Sequence, residues 1–193
     1  MKFLVYFFLM ILSNFCYSQT IINTENMMTD LDENLNYNLS LQGDFNFGNI
    51  DLIEFNTAHQ FSKSIDRSLI RFLINYEYIE EGGETLSSDL SAQIRYNYSF
   101  KKNSLFAFIQ AQNIKSLRMD HRYISGIGYR HNLFTQLKDY WDLSAGLFYE
   151  NELYDKNLST ETQVNNLRYS FSSFGKYTIS EKMFINLSVY YQI

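Results

Sequence analysis

Few residues of this chain have the type and spacing that catalysis requires. Asp120 and His121 are adjacent, and His59 precedes Ser62 by three positions, as candidate acid–base or base–nucleophile pairs. Residues an odd number of positions apart on a strand point to opposite faces, so neither pair can make the hydrogen bond that general-base catalysis needs. The histidines, His131 included, lack the spacing of metal ligands. The sequence therefore predicts no catalytic residue, no metal site and no cofactor.

An acidic run at 80–84, Glu80-Glu81-Gly82-Gly83-Glu84, has two interpretations. Its carboxylates could bind a divalent cation at the cell surface, since such ions prefer oxygen ligands. The two glycines are also typical of a tight hairpin turn, where neighbouring carboxylates are solvated. We favour the hairpin turn.

A second group of charged residues is predicted to be structural. Its members share the parity of the polar residues in the segments described below, so they are expected on the face opposite the aromatic residues. Five arginines and four carboxylates can pair across a narrow barrel interior, where an unpaired charge would be costly. The predicted interior charge network consists of Arg71, Arg95, Arg122, Arg130, Arg168, Asp44, Glu54, Glu77 and Glu150.

The elements that position these side chains follow a period-two pattern. From 35 to 47, apolar residues and a glycine occupy odd positions and polar residues even ones, which is typical of a strand with one apolar face. Strands of this length suit a tilted membrane span, which needs about nine to eleven residues, whereas soluble strands average about five or six. The pattern recurs at 51–61, 67–79, 88–100, 104–114, 121–131, 140–150, 165–175 and 183–193.

The predicted fold class is all-β, an antiparallel transmembrane β-barrel of up-and-down topology with nine visible strands. A lipid-facing arginine at the bilayer midplane costs roughly 2 to 4 kcal/mol, and the arginines of the pattern all fall opposite the aromatic face. Bacterial barrels have an even number of strands, yet the ninth strand ends on Ile193 rather than on an aromatic residue. We therefore expect a fragment of a barrel of ten or twelve strands.

The segment 104–114 fits two phases. Two glutamines favour the polar face for its even positions, which also sends Phe106 and Phe108 to that face. On the next segment, Gly126 and Gly128 are then expected to make room for inward arginines or to let the strand bend.

Turn lengths predict the orientation, because outer-membrane barrels have short periplasmic turns and longer extracellular loops. With a periplasmic amino terminus, the periplasmic turns fall near 62–66, 101–103, 132–139 and 176–182. The extracellular loops then fall near 48–50, 80–87, 115–120 and 151–164. Tyrosines near the strand ends are typical of aromatic girdles at the two membrane interfaces.

The first eighteen residues have the features of a secretory signal. Lys2 precedes an apolar stretch at 3–12, and the small-x-small exit at Cys16 and Ser18 predicts cleavage after Ser18. Lipidation of Cys16 is the alternative, disfavoured by the bulky Phe15 before it. Cleavage removes the only cysteine of the chain, so no disulfide or thiol nucleophile is expected. The expected domains are the signal at 1–18, a periplasmic lead at 19–33 and the barrel at 34–193, incomplete at its carboxyl terminus.

Composition narrows the function classes. The 193 residues include 16 Lys and Arg against 21 Asp and Glu, a net charge of −5, which does not fit the basic stripe of a nucleic-acid-binding protein. An aromatic content of 18% excludes a disordered chain. After the signal, no segment approaches the eighteen consecutive apolar residues of a helical membrane span.

Several stretches resemble one family over about residues 20 to 193. They are Ile22-Asn23-Thr24-Glu25, Gly48-Asn49-Ile50-Asp51, Ile94-Arg95-Tyr96-Asn97-Tyr98, Phe108-Ile109-Gln110-Ala111-Gln112, Arg122 with Gly126-Ile127-Gly128-Tyr129-Arg130, and Gly146-Leu147-Phe148-Tyr149-Glu150. In this order they resemble the salt-induced outer-membrane protein type, an uncharacterised family named as a domain of unknown function, in its Bacteroidetes-like version. Phe106 departs from the acidic residue expected there, which puts an ion pair at that position in doubt.

The resemblance implies a location and a shape, but no catalytic residue or ligand. Family members continue with further strands, which agrees with a fragment. The resulting hypothesis is a non-enzymatic outer-membrane barrel that contributes to envelope integrity or stress tolerance. Its expected partners are outer-membrane lipid and the barrel-assembly machinery, and it is expected to be a monomer. A barrel enzyme acting on lipid or peptide through Asp120 and His121, and a small-solute pore, are the alternatives.

Overall fold

The predicted strands all form, and several are longer than the alternation indicated. The structure, a computed structural model, describes residues 35–48, 51–136, 139–155, 163–180 and 183–193, so the predicted signal at 1–18 and lead at 19–33 lie outside the described residues. The strands are β1 (Leu35–Asn46), β2 (Leu52–Ile65), β3 (Ser68–Glu81), β4 (Glu84–Phe100), β5 (Asn103–Ile114), β6 (Met119–Gln136), β7 (Asp139–Tyr154), β8 (Gln163–Ser180) and β9 (Met183–Gln192).

Helical structure in these ranges is limited to a single 3₁₀ turn, Lys115–Leu117, between β5 and β6. Arg118, at φ 52°, ends this turn in the left-handed region, and its backbone N–H bonds to the Lys115 carbonyl. The described residues contain no helix that is long and apolar enough to cross a membrane.

Each strand pairs antiparallel with its neighbours in sequence, in the order β1 to β9. This up-and-down sheet confirms the predicted fold class at the level of the sheet. Among the described residues β1 and β9 are edges that do not pair with each other, so the sheet is open. Ile193 extends the β8–β9 ladder through reciprocal 2.9 Å hydrogen bonds with Tyr169.

Bulges explain two of the places where the predicted strand ends were wrong. The predicted turn at 132–139 lies mostly within paired strand, because β6 continues to Gln136 and β7 begins at Asp139. The register shifts between Asn132 and Phe134. An extra residue in one strand reverses the faces of the residues that follow, so the period-two pattern breaks although the ladder continues.

The same effect moves the start of β4. Thr85 and Ser87 of β4 lie opposite consecutive residues of β3, so Leu86 is the extra residue. The strand therefore begins at Glu84 rather than at 88. Between β3 and β4 the chain turns through Gly82 and Gly83, both at positive φ (58° and 85°), as a two-residue hairpin requires.

The two ends of the sheet differ in their connections. At one end, here called the short-turn end, two residues join each hairpin, at 66–67, 101–102, 137–138 and 181–182. At the other, the long-connection end, the connections are 47–51, 82–83, 115–118 and 155–162. The predicted contrast in length is present, with the Gly82-Gly83 hairpin as the short member of the second set.

Burial divides the sheet into two unlike faces. The face that carries the arginines, here called the polar face, is shielded, while the apolar face opposite it is exposed. Among the described residues, the buried set has six hydrophobic and fifteen polar or charged members. This distribution is the reverse of that in a soluble domain, where long charged side chains are rarely buried.

Candidate functional site

The polar face holds an ion-pair cluster on β6, β7 and β8. Glu150 of β7, 2% exposed, accepts a hydrogen bond from Nε of Arg122 on β6. Nε of Arg168 on β8 lies 2.6 Å from Glu150 Oε2, an ion pair without the alignment of a hydrogen bond. Arg122 Nε also lies 3.1 Å from Glu152 Oε1. Two guanidinium groups and two carboxylates therefore share one buried site.

Strand register brings these groups together. Arg122 lies directly opposite Glu152, whereas Glu150 is one diagonal step from both Arg122 and Arg168. Tyr154 extends the cluster by donating a 2.8 Å hydrogen bond to Glu152 Oε2. Because the cluster is desolvated, loss of one charge leaves its partners with fewer counter-charges in a poorly hydrated place.

A second arginine pair lies on β3 and β4. Arg71 and Arg95 are directly opposite each other, so two like charges are neighbours on the buried face. The two guanidinium groups contact different partners. Arg71 Nη2 donates a 3.1 Å hydrogen bond to Asn97 Oδ1, while the Arg95 guanidinium lies 4.6 Å from the centroid of the Phe106 ring and 5.9 Å from that of Phe108. Such cation–π contacts gain strength when they are desolvated.

Glycines of β6 make room for the phenylalanine rings that contact the Arg95 guanidinium. A Cβ at Gly126 would lie 2.5 Å from the rings of both Phe108 and Phe148, which meet edge to face with centroids 5.0 Å apart. A Cβ at Gly128 would overlap the Phe106 ring and lie 2.7 Å from the Ala145 carbonyl oxygen. The predicted role of these glycines is therefore refined, because the room is taken directly by aromatic rings.

The third cluster lies nearer the short-turn end. Arg130 of β6 lies 4.8 Å from the Phe174 ring centroid, and its Nη1 is 3.9 Å from Asp142 Oδ2. Asn132 donates a 2.6 Å hydrogen bond to Asp142 Oδ1. The Asp142 carboxylate is thus contacted from two sides.

A family model described as "Protein of unknown function, DUF481" matches residues 25–193. The chain belongs to the DUF481 family. Comparisons of the DUF481 chain with curated proteins and with solved structures found no match.

Three predicted carboxylates of the DUF481 chain do not reach the arginines. Asp44 lies directly opposite Glu54, and Glu77 lies opposite Asp89, all toward the long-connection end. Glu77 is six residues from Arg71 along β3, about 20 Å at 3.3 Å per residue. Asp44, Glu54 and Glu77 share the face of the arginines but are exposed at that end of the open sheet, so their pairing with the arginines across a barrel interior stays a prediction.

Sequence reasoning missed two carboxylates that the arginines do contact. Glu152 falls in the predicted loop at 151–164, but β7 continues to Tyr154 and buries it beside Arg122. Asp142 is not in the predicted charge network, although it shares the parity of Glu150 and lies within the same strand. That parity is the signal that could have identified both.

The other chemical candidates are separated. His59 hydrogen bonds on the apolar face with Tyr37 (2.8 Å), whereas Ser62 is buried on the polar face. The His121 ring lies tilted by 42° against the Tyr123 ring, with centroids 5.1 Å apart. Asp120 is exposed at the register shift between Met119 and His121. Across the described ranges, no group of three or more His, Cys, Asp or Glu residues has a metal-binding arrangement.

Proposed function

We propose that the chain is a non-enzymatic β-barrel protein of a Gram-negative outer membrane. One observation carries the proposal, the inverted burial of the sheet. Ile127 and Leu167 are 62% and 63% exposed, while Arg71 is 1% exposed. Hydrocarbon tails can cover such an apolar face, and an arginine there would cost roughly 2 to 4 kcal/mol at the midplane.

The extent of the apolar face supports membrane contact. Monomeric soluble proteins rarely expose a contiguous apolar patch larger than a few hundred Å², yet each of the nine strands exposes large hydrophobic side chains. Two grooves of about 490 and 780 Å³ lie on this face, with walls that include Ile109, Leu147 and Tyr169. Apolar grooves of this kind suit acyl chains.

The positions of aromatic side chains also support the proposal that the strands cross a bilayer. Some exposed aromatic side chains, such as Tyr169 and Phe171, lie between the two ends of the apolar face, while eight lie toward those ends, as expected for interfacial girdles. Toward the short-turn end these are Tyr96, Tyr98, Trp141 and Tyr177, and toward the long-connection end Phe45, Phe55, Tyr123 and Tyr149. The short-turn end is then periplasmic and the long-connection end extracellular.

The buried face accounts for the proposed lack of catalysis. Its charged groups contact one another, as in the Arg122–Glu150–Arg168 cluster, or contact aromatic rings, as Arg95 and Arg130 do. We assign these groups to filling the interior of the barrel. The proposed partners are outer-membrane lipid and the barrel-assembly machinery that inserts the monomer after its signal is cleaved.

The finer proposal is a role in envelope integrity or stress tolerance. It rests on the resemblance to the salt-induced outer-membrane protein type. Deletion of the gene should slow growth in high salt, and a plasmid copy should restore it. Equal growth of the deletion strain in low and high salt would contradict this role without bearing on the membrane location.

Cell fractionation tests the location. The mature protein should sediment with outer membranes. It should also migrate differently on a gel before and after heating, because folded barrels resist unfolding by detergent until they are heated. Recovery in the soluble periplasmic fraction, with the same migration before and after heating, would overturn the proposal.

A further inference from the structure

A cavity of about 480 Å³ opens on the polar face at the short-turn end. It lies between the β4–β5 turn and strands β6 and β7. Its charged lining residues, among those the structure describes, are Lys101, Lys102, Arg130 and Asp142. The other polar groups of the lining are Ser99, Asn103, Ser104, Asn132 and Thr135.

The charges of this cavity are unbalanced. Three cations face a single carboxylate, and that carboxylate already accepts a hydrogen bond from Asn132 and lies 3.9 Å from Arg130. Lys101 and Lys102 therefore face the cavity without a carboxylate of the described lining to offset them. An anion of matching size would find charge and hydroxyl donors together.

The scaffold of the cavity is fixed by hydrogen bonds. The Asn132 backbone N–H donates to the Lys102 carbonyl over 2.8 Å, which ties the turn to β6. The Thr135 hydroxyl donates to Asn132 Oδ1 over 3.0 Å, and Arg130 is held over the Phe174 ring. An arrangement that is already formed loses less conformational entropy when it binds a ligand.

We propose that this cavity binds the phosphate group of a soluble molecule. Lys101 and Lys102 supply most of the charge, and the hydroxyls of Ser99 and Ser104, which also line the cavity, donate hydrogen bonds to the phosphate oxygens. Because the cavity opens on the polar face, a soluble phosphate reaches it more directly than a lipid headgroup whose chains lie on the apolar face. Phosphate binding itself does not depend on the membrane location, whereas the choice of a soluble molecule over a lipid rests on it.

Calorimetric titration of the full chain with inorganic phosphate tests the proposal, in zwitterionic detergent and at constant ionic strength. The wild-type chain should bind phosphate saturably. The Lys101→Asn, Lys102→Gln double variant should bind at least about tenfold more weakly, because hydrogen bonds to charged groups are lost. Asparagine suits position 101, where φ is 54°.

A matched control removes the same charge away from the cavity. Lys63 of β2 and Lys115 of the 3₁₀ turn at the long-connection end are exposed and do not line the cavity. A Lys63→Gln, Lys115→Gln double variant should therefore bind within about twofold of wild type, since distant exposed charges are screened by salt. Trp141, the only tryptophan, lies opposite the lining residue Phe134. Its fluorescence reports whether each variant is folded.

Three outcomes would overturn the proposal. The first is that the wild-type chain shows no saturable binding of phosphate. The second is that both double variants lose the same affinity, which would indicate a diffuse surface field. The third is that micelles containing phosphatidylglycerol bind to the chain in a lysine-dependent manner while inorganic phosphate does not, which would assign the lysines to a lipid headgroup.

Discussion

Glu150 is the residue on which the buried charges of β6 to β8 depend. Its two carboxylate oxygens contact arginines from two different strands, and almost none of the side chain reaches solvent. Neutralising it leaves Arg122 and Arg168 with one fewer counter-charge in a desolvated place. Glu152 compensates in part because it also contacts Arg122.

Glu150→Gln should therefore lower the free energy of unfolding by about 3 to 5 kcal/mol, the usual cost of breaking a buried ion pair. Glu77→Gln provides the matched control, since that carboxylate shares the face but is exposed, and its effect should stay within about 0.5 kcal/mol. The measurement is the urea unfolding midpoint of the detergent-refolded protein. Equal effects of the two substitutions would mean that the Glu150 site is hydrated.

Neighbouring residues of β4 test the assignment of the two faces. Arg95 is buried over Phe106, whereas Ile94 points to the apolar face and is half exposed. Arg95→Leu loses the cation–π contacts and its packing, an effect of about 1 to 2 kcal/mol that relief of repulsion from Arg71 offsets only in part.

Ile94→Ala should cost less, because detergent or lipid tails refill the space. The Arg95→Leu variant is thus expected to have the lower unfolding midpoint. The opposite order would show that the faces are reversed or that the interior is wet enough to solvate the charges left behind.

At the scale of the strands, β5 and β6 are fitted to each other by alternating aromatic and glycine positions. Phe106 and Phe108 lie directly opposite Gly128 and Gly126. Each ring occupies the space that a side chain on β6 would need. This fit allows two bulky side chains and Arg95 to share the buried face without forcing the strands apart.

Gly128→Ala should destabilise the sheet by about 1 to 3 kcal/mol, the usual cost of overpacking. Its new methyl group would meet the Ala145 carbonyl, a backbone atom that cannot move without disturbing the β6–β7 ladder. Gly43→Ala is the control, because its closest contact is the ring of Phe45, 3.1 Å away and free to rotate. Alanine there should be neutral or slightly stabilising. Comparable losses at both positions in thermal unfolding would argue against the ring-over-glycine fit.

In the described part of the chain, the two ends of the sheet differ from each other, as its two faces do. Short turns lie at one end and the longer connections, with most of the exposed carboxylates, at the other. In an outer-membrane barrel this asymmetry predicts the orientation, with the short turns in the periplasm.

Cysteine labelling of intact cells tests that orientation. Cys16 is the only cysteine and falls in the predicted signal, so Leu117→Cys and Arg67→Cys each introduce a single thiol in the mature protein. A membrane-impermeant maleimide should label Leu117→Cys in intact cells, and Arg67→Cys only after the outer membrane is permeabilised. The reverse pattern would place the short turns outside.

The facing of the side chains could be predicted from the sequence because it is a local property. Period two requires only neighbouring residues, so Arg95 and Ile94 could be assigned to opposite faces without knowledge of any other strand. Strand order followed as well, since short connections pair strands that are adjacent in sequence.

Only the tertiary structure decided which charges meet. Contacts between strands depend on register, and register depends on turn lengths and bulges such as the one between Asn132 and Phe134. Glu152 falls in the predicted loop at 151–164 but lies buried beside Arg122. Glu77, a member of the predicted charge network, lies about 20 Å along β3 from Arg71. Parity specifies a face, but position along the barrel axis depends on the partner strand, which parity alone does not specify.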